Sequence, residues 1–136
     1  MTHLIDSDWF IDVFNGQPRA IAVLTAFAPQ GLFLSIVTYG EWYEGAYYRR
    51  NPQGALAQLQ TLVATMTIVP LTRPSMERFG MVRGSLPRNI RQQVGDMDLL
   101  IAAPALHHGL TLVTRNVKDY QLVPGVVVYQ PEQTGP

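Results

Sequence analysis

The side chains best able to do chemistry in this 136-residue chain are its carboxylates, and they are unevenly spread. Asp6, Asp8, Asp12, Glu41, Glu44, Asp96, Asp98 and Asp119 all fall near the ends of predicted elements; only Glu77 and Glu132 lie elsewhere. Carboxylates held a few ångströms apart repel and raise one another's pKa. A bound Mg²⁺ or Mn²⁺ removes that penalty, because hard cations take oxygen ligands. Such an ion activates a water and stabilises the leaving oxygen of a phosphodiester. No other grouping supplies a nucleophile and base at suggestive spacing. The chain has no Cys, which excludes disulfides and thiolate metal sites. His107 and His108 lie about 100° apart around a helix and suit its C-terminus better than a shared phosphate.

Each acid also has an ordinary use. Asp6 can cap a helix. Glu41 can complete a capping box opened by Thr38. Asp96 and Asp98 stand in a first helical turn, where negative charge favours the dipole. Asp119 can be a solvated turn residue. By spacing alone these acids make a candidate divalent-cation site. Arginines are kept apart from them: Arg73, Arg78, Arg83, Arg88 and Arg91 face only Glu77 over residues 73–91. That run is either a solvated surface or a contact for nucleic-acid phosphates.

The elements that must position these groups follow from the apolar pattern. His3-Leu4-Ile5 reads as a strand stopping at Asp6. Helices are predicted from Ser7 to Asn15 and from Pro18 to Ala28, the latter with Pro near its start. Leu32 to Ile36 is a buried strand, and Thr38 then opens a helix. Pro52 to Met66 is helical, Thr67 to Leu71 a strand, and Thr72 with Pro74 start a helix to about Gly84. Residues 84–95 read as a polar, glycine-containing loop. A helix runs from Asp96 to His108, stopped by Gly109. Leu110 to Thr114 is a strand, Asn116 to Tyr120 a helical turn, and Val126 to Tyr129 a last strand. Short apolar strands alternating with helices imply a mostly parallel sheet of about five strands covered on both faces. Ligands of such sheets bind at the carboxyl ends of the strands.

Five aromatics crowd residues 39–48. Tyr39, Trp42, Tyr43 and Tyr47 share one broad helical face, with Glu41, Glu44 and Tyr48 opposite. The face either packs into the core or meets another subunit, and the polar tips of these rings incline the reading to an interface.

The composition is that of one globular domain over 1–136: 47% hydrophobic, 15% charged, net charge zero. Met1-Thr2-His3 lacks the parts of a signal peptide. The longest apolar run, Leu99–Leu106, is too short for a bilayer. The expectation is a cytoplasmic protein with no membrane contact.

Leu4-Ile5-Asp6-Ser7 resembles the opening strand of PIN domains, especially VapC-type toxins. Ser35-Ile36-Val37-Thr38-Tyr39-Gly40-Glu41 is similar to their second motif. Asp98-Leu99-Leu100-Ile101-Ala102-Ala103-Pro104-Ala105-Leu106 resembles the third, and Gly109 to Tyr120 continues into the fourth. Val123-Pro124-Gly125-Val126-Val127-Val128 matches the usual ending. The stretch 98–120 is the specific part. The resemblance implies a three-layer α/β fold and Mg²⁺- or Mn²⁺-dependent cleavage of RNA, often structured RNA such as tRNA. It implies a toxin held by a small antitoxin, and a homodimer. By motif position, Asp6 and Asp98 would be metal ligands and Glu41 a third acid. Ser7, Thr114 and Asn116 would support them, with Asp119 nearby and Asp96 and Asp8 as extra acids. Apart from the resemblance, the charge distribution makes Arg88 and Arg91 of the arginine-rich run, with Arg115, the candidate RNA contacts. Asn116 stands where many PIN domains have an acid, and Pro104 where Thr is commoner; Pro there should kink the helix.

The chemistry expected is in-line hydrolysis leaving a 3′-hydroxyl and a 5′-phosphate. Two alternatives differ in class. One is a PIN-like module that binds RNA or a partner without cutting. The other is a haloacid-dehalogenase-type phosphatase using Asp6-Ser7-Asp8, with Asp6 as covalent nucleophile. Against the latter, Phe10 stands where that family has Thr or Val.

Overall fold

The computed structural model describes residues 3–129. The expected limits 1–136, and Glu132 with them, extend outside the described residues. The chain runs β1 (His3–Ile5), α1 (Ser7–Phe14), α2 (Pro18–Phe27), a 3₁₀ turn, β2 (Leu32–Ser35), α3 (Ile36–Tyr47), α4 (Pro52–Val63) and β3 (Thr67–Val69). It continues through α5 (Arg73–Ser85), α6 (Arg88–Val94), α7 (Asp96–His108), β4 (Thr111–Val113), α8 (Val117–Tyr120) and β5 (Val127–Val128).

The strands form one sheet in the order β3-β2-β1-β4-β5. All four pairings are parallel. Alternation along each strand builds two cores. Leu4 and Leu112 face Leu99, Ile101, Ala102 and Tyr120. Ile5, Leu34 and Val113 face Trp9, Leu24, Trp42 and Leu59. Helices α1–α4 therefore cover one face and α5–α8 the other, the expected three layers.

The strand order fixes where a site can form. From β1 the chain steps outward through β2 to β3, then returns to place β4 on the other side of β1. Right-handed crossovers put the helices of these two excursions on opposite faces. The connections leaving β1 and β4 part company there, opening a crevice at the carboxyl ends of the two central strands.

Three expectations change. The capping box at Thr38 does not form. Ser35 caps α3, its Oγ accepting from the Val37 N–H at 3.1 Å, so the helix starts straight off β2. Thr38 is buried within the helix, and Glu41 lies beyond its first turn. Residues 84–95 are not a loop. They carry α6, whose Ile90 and Val94, one turn apart, dock on the core. Gly95, at φ +84°, ends it, a conformation natural to glycine. Third, the α3 aromatics serve chiefly the molecule's own core. Trp42 is 3% exposed, and its Nε1–H donates to the Ser7 carbonyl at 3.2 Å. Tyr39 and Tyr43 pack partly against the same core, while Tyr47 and Tyr48 are exposed. Pro104 is buried inside α7, which continues to His108.

Candidate active site

Asp6 follows β1 directly and Thr114 follows β4 directly, so the sheet register brings them together. The Ile5–Val113 pairing sets it, and the Asp6 N–H donates to the Val113 carbonyl at 2.9 Å. Across the crevice the Thr114 hydroxyl donates to Asp6 Oδ2 at 2.7 Å. The other oxygen, Oδ1, accepts from the Ser7 backbone N–H at 2.8 Å. Asp6 is thus a buried carboxylate held from both central strands.

Asp8 stands one step further along α1. Its Oδ2 accepts from the Arg115 backbone N–H at 2.9 Å and lies 3.3 Å from the Thr114 hydroxyl. On the opposite layer α7 presents Asp98 from its first turn, and the Asn116 side-chain amide donates to Asp98 Oδ2 at 3.1 Å. Asn116 is itself fixed by its backbone N–H, which donates to Thr114 Oγ1 at 3.0 Å. Glu41 approaches from α3.

These acids sense one another. Burial pushes the Glu41 carboxyl up to about 7, with further upward pressure from Asp6 and Asp98. Burial likewise raises Asp6; the Thr114 hydroxyl and the Ser7 N–H oppose it, and Asp98 adds to it. Asp8 is raised by burial and by Asp6, against the pull of the Arg115 N–H. Asp98 is raised by burial and by Asp119, while Tyr120 and Asn116 draw it down. A cluster whose members all resist ionisation is the electrostatic signature of a functional site.

The remaining expected residues divide. Asp119 neighbours Asp98 but is held outward, its Oδ1 accepting from the Gln93 amide at 3.0 Å. Asp96 points to the other side of α7 and pairs with Arg83, Nε to Oδ1 2.9 Å. The Arg115 guanidinium pairs with Asp12. Arg88 and Arg91 lie on α6 beside Asp96. Two participants were not given their weight by sequence reasoning. Asp8, second to Asp6 among the expected acids, is the second residue of α1 and accepts from the Arg115 N–H across the crevice. Tyr120 lies outside the expected set. It is fully buried, its hydroxyl lies among Asp98, Asp6 and Glu41 without a complete hydrogen bond, and its pKa is raised by burial first. Its place four residues after Asn116, one helical turn on, was the available signal.

The donor set suits a hard divalent cation. Every candidate ligand is oxygen, and Asp8 Oδ1 and Glu41 Oε1 are buried with no partner. Among the described residues no three acidic or histidine side chains close into a ready cage. Mg²⁺ does not need one, since it keeps several waters and is held by one or two carboxylates together with substrate phosphate.

Comparison with known proteins bears on the family and the fold. The family model described as PIN domain matches residues 3–122. Ribonuclease VapC1 of Haemophilus influenzae strain R2866 is 26% identical over 125 residues, which is 90% of this chain and 92% of the relative. Among solved structures, VapBC2 of Rickettsia felis bound to a promoter DNA fragment superposes with a TM-score of 0.85 at 20% identity, covering 97% of this chain and 100% of that one. A toxin–antitoxin complex from Klebsiella pneumoniae gives 0.74 at 29% identity, covering 95% and 99%. The match sets aside the phosphatase alternative.

Proposed function

Since this chain belongs to the PIN domain family, we propose that it is a divalent-metal-dependent endoribonuclease acting as the toxin of a toxin–antitoxin pair. The observation that carries the reading is the convergence of Asp6, Glu41 and Asp98 at the switch point of the sheet, where burial and then Asp6 and Asp98 press the Glu41 carboxyl upward. Carboxylates so placed favour a cation over their own ionisation without one. Asp6 and Asp98 would hold Mg²⁺ or Mn²⁺, with Glu41 as the third acid. When bound, the ion supplies an activated water and charge relief at the leaving oxygen of an RNA phosphodiester.

The protein's own groups do the orienting. The Thr114 hydroxyl and Ser7 N–H fix the two oxygens of Asp6. The Asn116 amide donates to Asp98, so it positions a ligand and does not serve as one. Without a cation, burial and the neighbouring acids push the Glu41 carboxyl up to about 7; a bound cation would relieve that pressure and favour its carboxylate form. Names of relatives support the substrate and the partner: a VapC1 ribonuclease and a toxin–antitoxin complex. A cleft of about 290 Å³ opens beside Glu41, walled by Ile11, Trp42 and Ala46; an antitoxin segment lying there would block the acids.

The test is cleavage of host total RNA, including the tRNA fraction, by purified antitoxin-free protein in Mg²⁺, Mn²⁺ or EDTA, beside Asp98→Asn. Cuts that need the metal and vanish in the variant, with 5′-phosphate ends, are expected. Cyclic phosphate ends would overturn the hydrolytic route. Folded protein that binds RNA and never cuts it would overturn the nuclease reading.

A further inference from the structure

We propose that the recess enclosed by α5, α6 and the start of α7 seats a backbone phosphate of the RNA, remote from the bond that is cut. The proposal rests on the ribonuclease reading and adds how the strand is held. The recess has a volume of about 420 Å³ and is lined by Arg83, Arg88, Arg91, Gln92, Gly95 and Asp96. Three guanidinium groups face one carboxylate. Asp96 engages Arg83 at 2.9 Å and holds it on the wall of the recess. Neither Arg88 nor Arg91 has an acidic partner among the described residues. They are three apart in α6, hence neighbours on one face. The recess therefore carries two uncompensated positive charges on a short helix that Gly95 ends and the core holds through Ile90 and Val94. Guanidinium forks match phosphate oxygens in pairs, the geometry of backbone recognition.

Its place relative to the acids sets what it would bind. Asp96 and Asp98 are two residues apart in α7, so they point to opposite sides of the helix, about 3 Å apart along its axis. Asp96 borders the recess and Asp98 the acidic cluster. The phosphate in the recess cannot be the one under attack. It belongs to a neighbouring nucleotide of a strand crossing the start of α7. Helix α6 spans the two places, since Gln93 on it donates to Asp119 beside Asp98.

The test uses the full chain with Arg88 and Arg91 both changed to Gln, and a control with Arg73 and Arg78 both changed to Gln, which removes equal charge elsewhere on α5. Binding of a labelled single-stranded RNA is measured in EDTA against salt. Each lost phosphate contact lowers the slope of log affinity on log salt by about 0.7 on single strands, so the double variant, which loses the one seated phosphate, should fall by about 0.7 and the control should not. In Mg²⁺ or Mn²⁺ the double variant should show a raised KM on long RNA, and its difference from wild type should shrink on a dinucleotide, which has no neighbouring phosphate to seat. An unchanged salt slope overturns the proposal. So does an equal fall in the control, which would mean net charge only. Inorganic phosphate binding that the double variant loses without any change in RNA slope would make the recess a free-anion site. Loss of antitoxin binding with an intact RNA slope would make it a protein contact. Each of these results overturns the proposal too. If wild-type protein cuts nothing, the nuclease reading fails, and the binding slope still decides the recess.

Discussion

One hydroxyl proton stands between two carboxylates. Thr114 Oγ1 lies 2.7 Å from Asp6 and 3.3 Å from Asp8, and accepts from the Asn116 N–H. A hydroxyl donates once, so it satisfies Asp6 and leaves Asp8 dependent on the Arg115 N–H. Thr114→Val should destabilise the fold by about 1.5–3 kcal/mol, the range for a hydrogen bond to a charged group. It should cut RNA cleavage sharply, and Thr114→Ser should restore both; chemical denaturation and a cleavage assay read the two effects. A merely steric role would instead be met by Val and not by Ser. The same geometry ranks the acids. Asp119 is turned to Gln93 whereas Asp8 lies against Asp6, so Asp8→Asn should lower cleavage more than Asp119→Asn does. The opposite ranking in a side-by-side assay would mean that α8 swings Asp119 inward when RNA binds.

Helix α3 illustrates how a stripe read for its surface can belong to the interior. Thr38, Trp42 and Ala46 recur every four residues and are all buried; the indole N–H finds its partner in the Ser7 carbonyl. That bond lets Trp42 be wholly inside, and no pattern in α3 itself announces an acceptor 35 residues away. Trp42→Ala should therefore cost about 3–5 kcal/mol of stability, seen as a lower denaturant midpoint for isolated protein at any concentration. An effect on self-association with no loss of stability would restore the interface reading. Ser35→Ala should cost about 1 kcal/mol, because Ser35 caps the helix. In β1, His3 is buried and stacks on Phe27 with ring centroids 3.9 Å apart. Burial lowers its pKa in the folded state. The unfolded chain then binds the proton more readily, so the contribution of His3 to stability is full above about pH 6.5 and is lost as the pH drops through the unfolded pKa, opposite in sign to that of Glu41, which the folded state protonates from about 7 downward. His3→Phe should remove that contribution, so the difference in stability between variant and wild type should change across pH 5 to 8 in denaturant titrations.

At the scale of the whole molecule, the parts legible in the sequence were those with local causes. Apolar runs at His3–Ile5, 32–36 and 110–114 marked β1, β2 and β4, with β2 ending one residue earlier than expected, and their alternation with helices implied the parallel sheet. Helix α6 was not legible because its seven residues, RNIRQQV, are mostly polar and only Ile90 and Val94 anchor it. Asp8 stood second among the expected acids and Tyr120 outside them because strand order, which no local pattern specifies, decides that the turn after β4 meets the turn after β1. That convergence has an energetic consequence. Folding gathers Asp6, Asp8, Glu41 and Asp98 where each resists ionisation, so the metal-free protein carries built-in repulsion. Removing one charge should relieve it, and Asp98→Asn should melt above wild type in EDTA. A cation bound only by the folded state should reverse the order, stabilising wild type by about 2.7 kcal/mol at a hundredfold excess over its Kd. In Mn²⁺ or Mg²⁺ the Tm of wild type should climb with concentration, while that of Asp98→Asn should move far less. Equal Tm shifts in the two proteins would place the cation elsewhere and leave the gathered acids without their counter-charge.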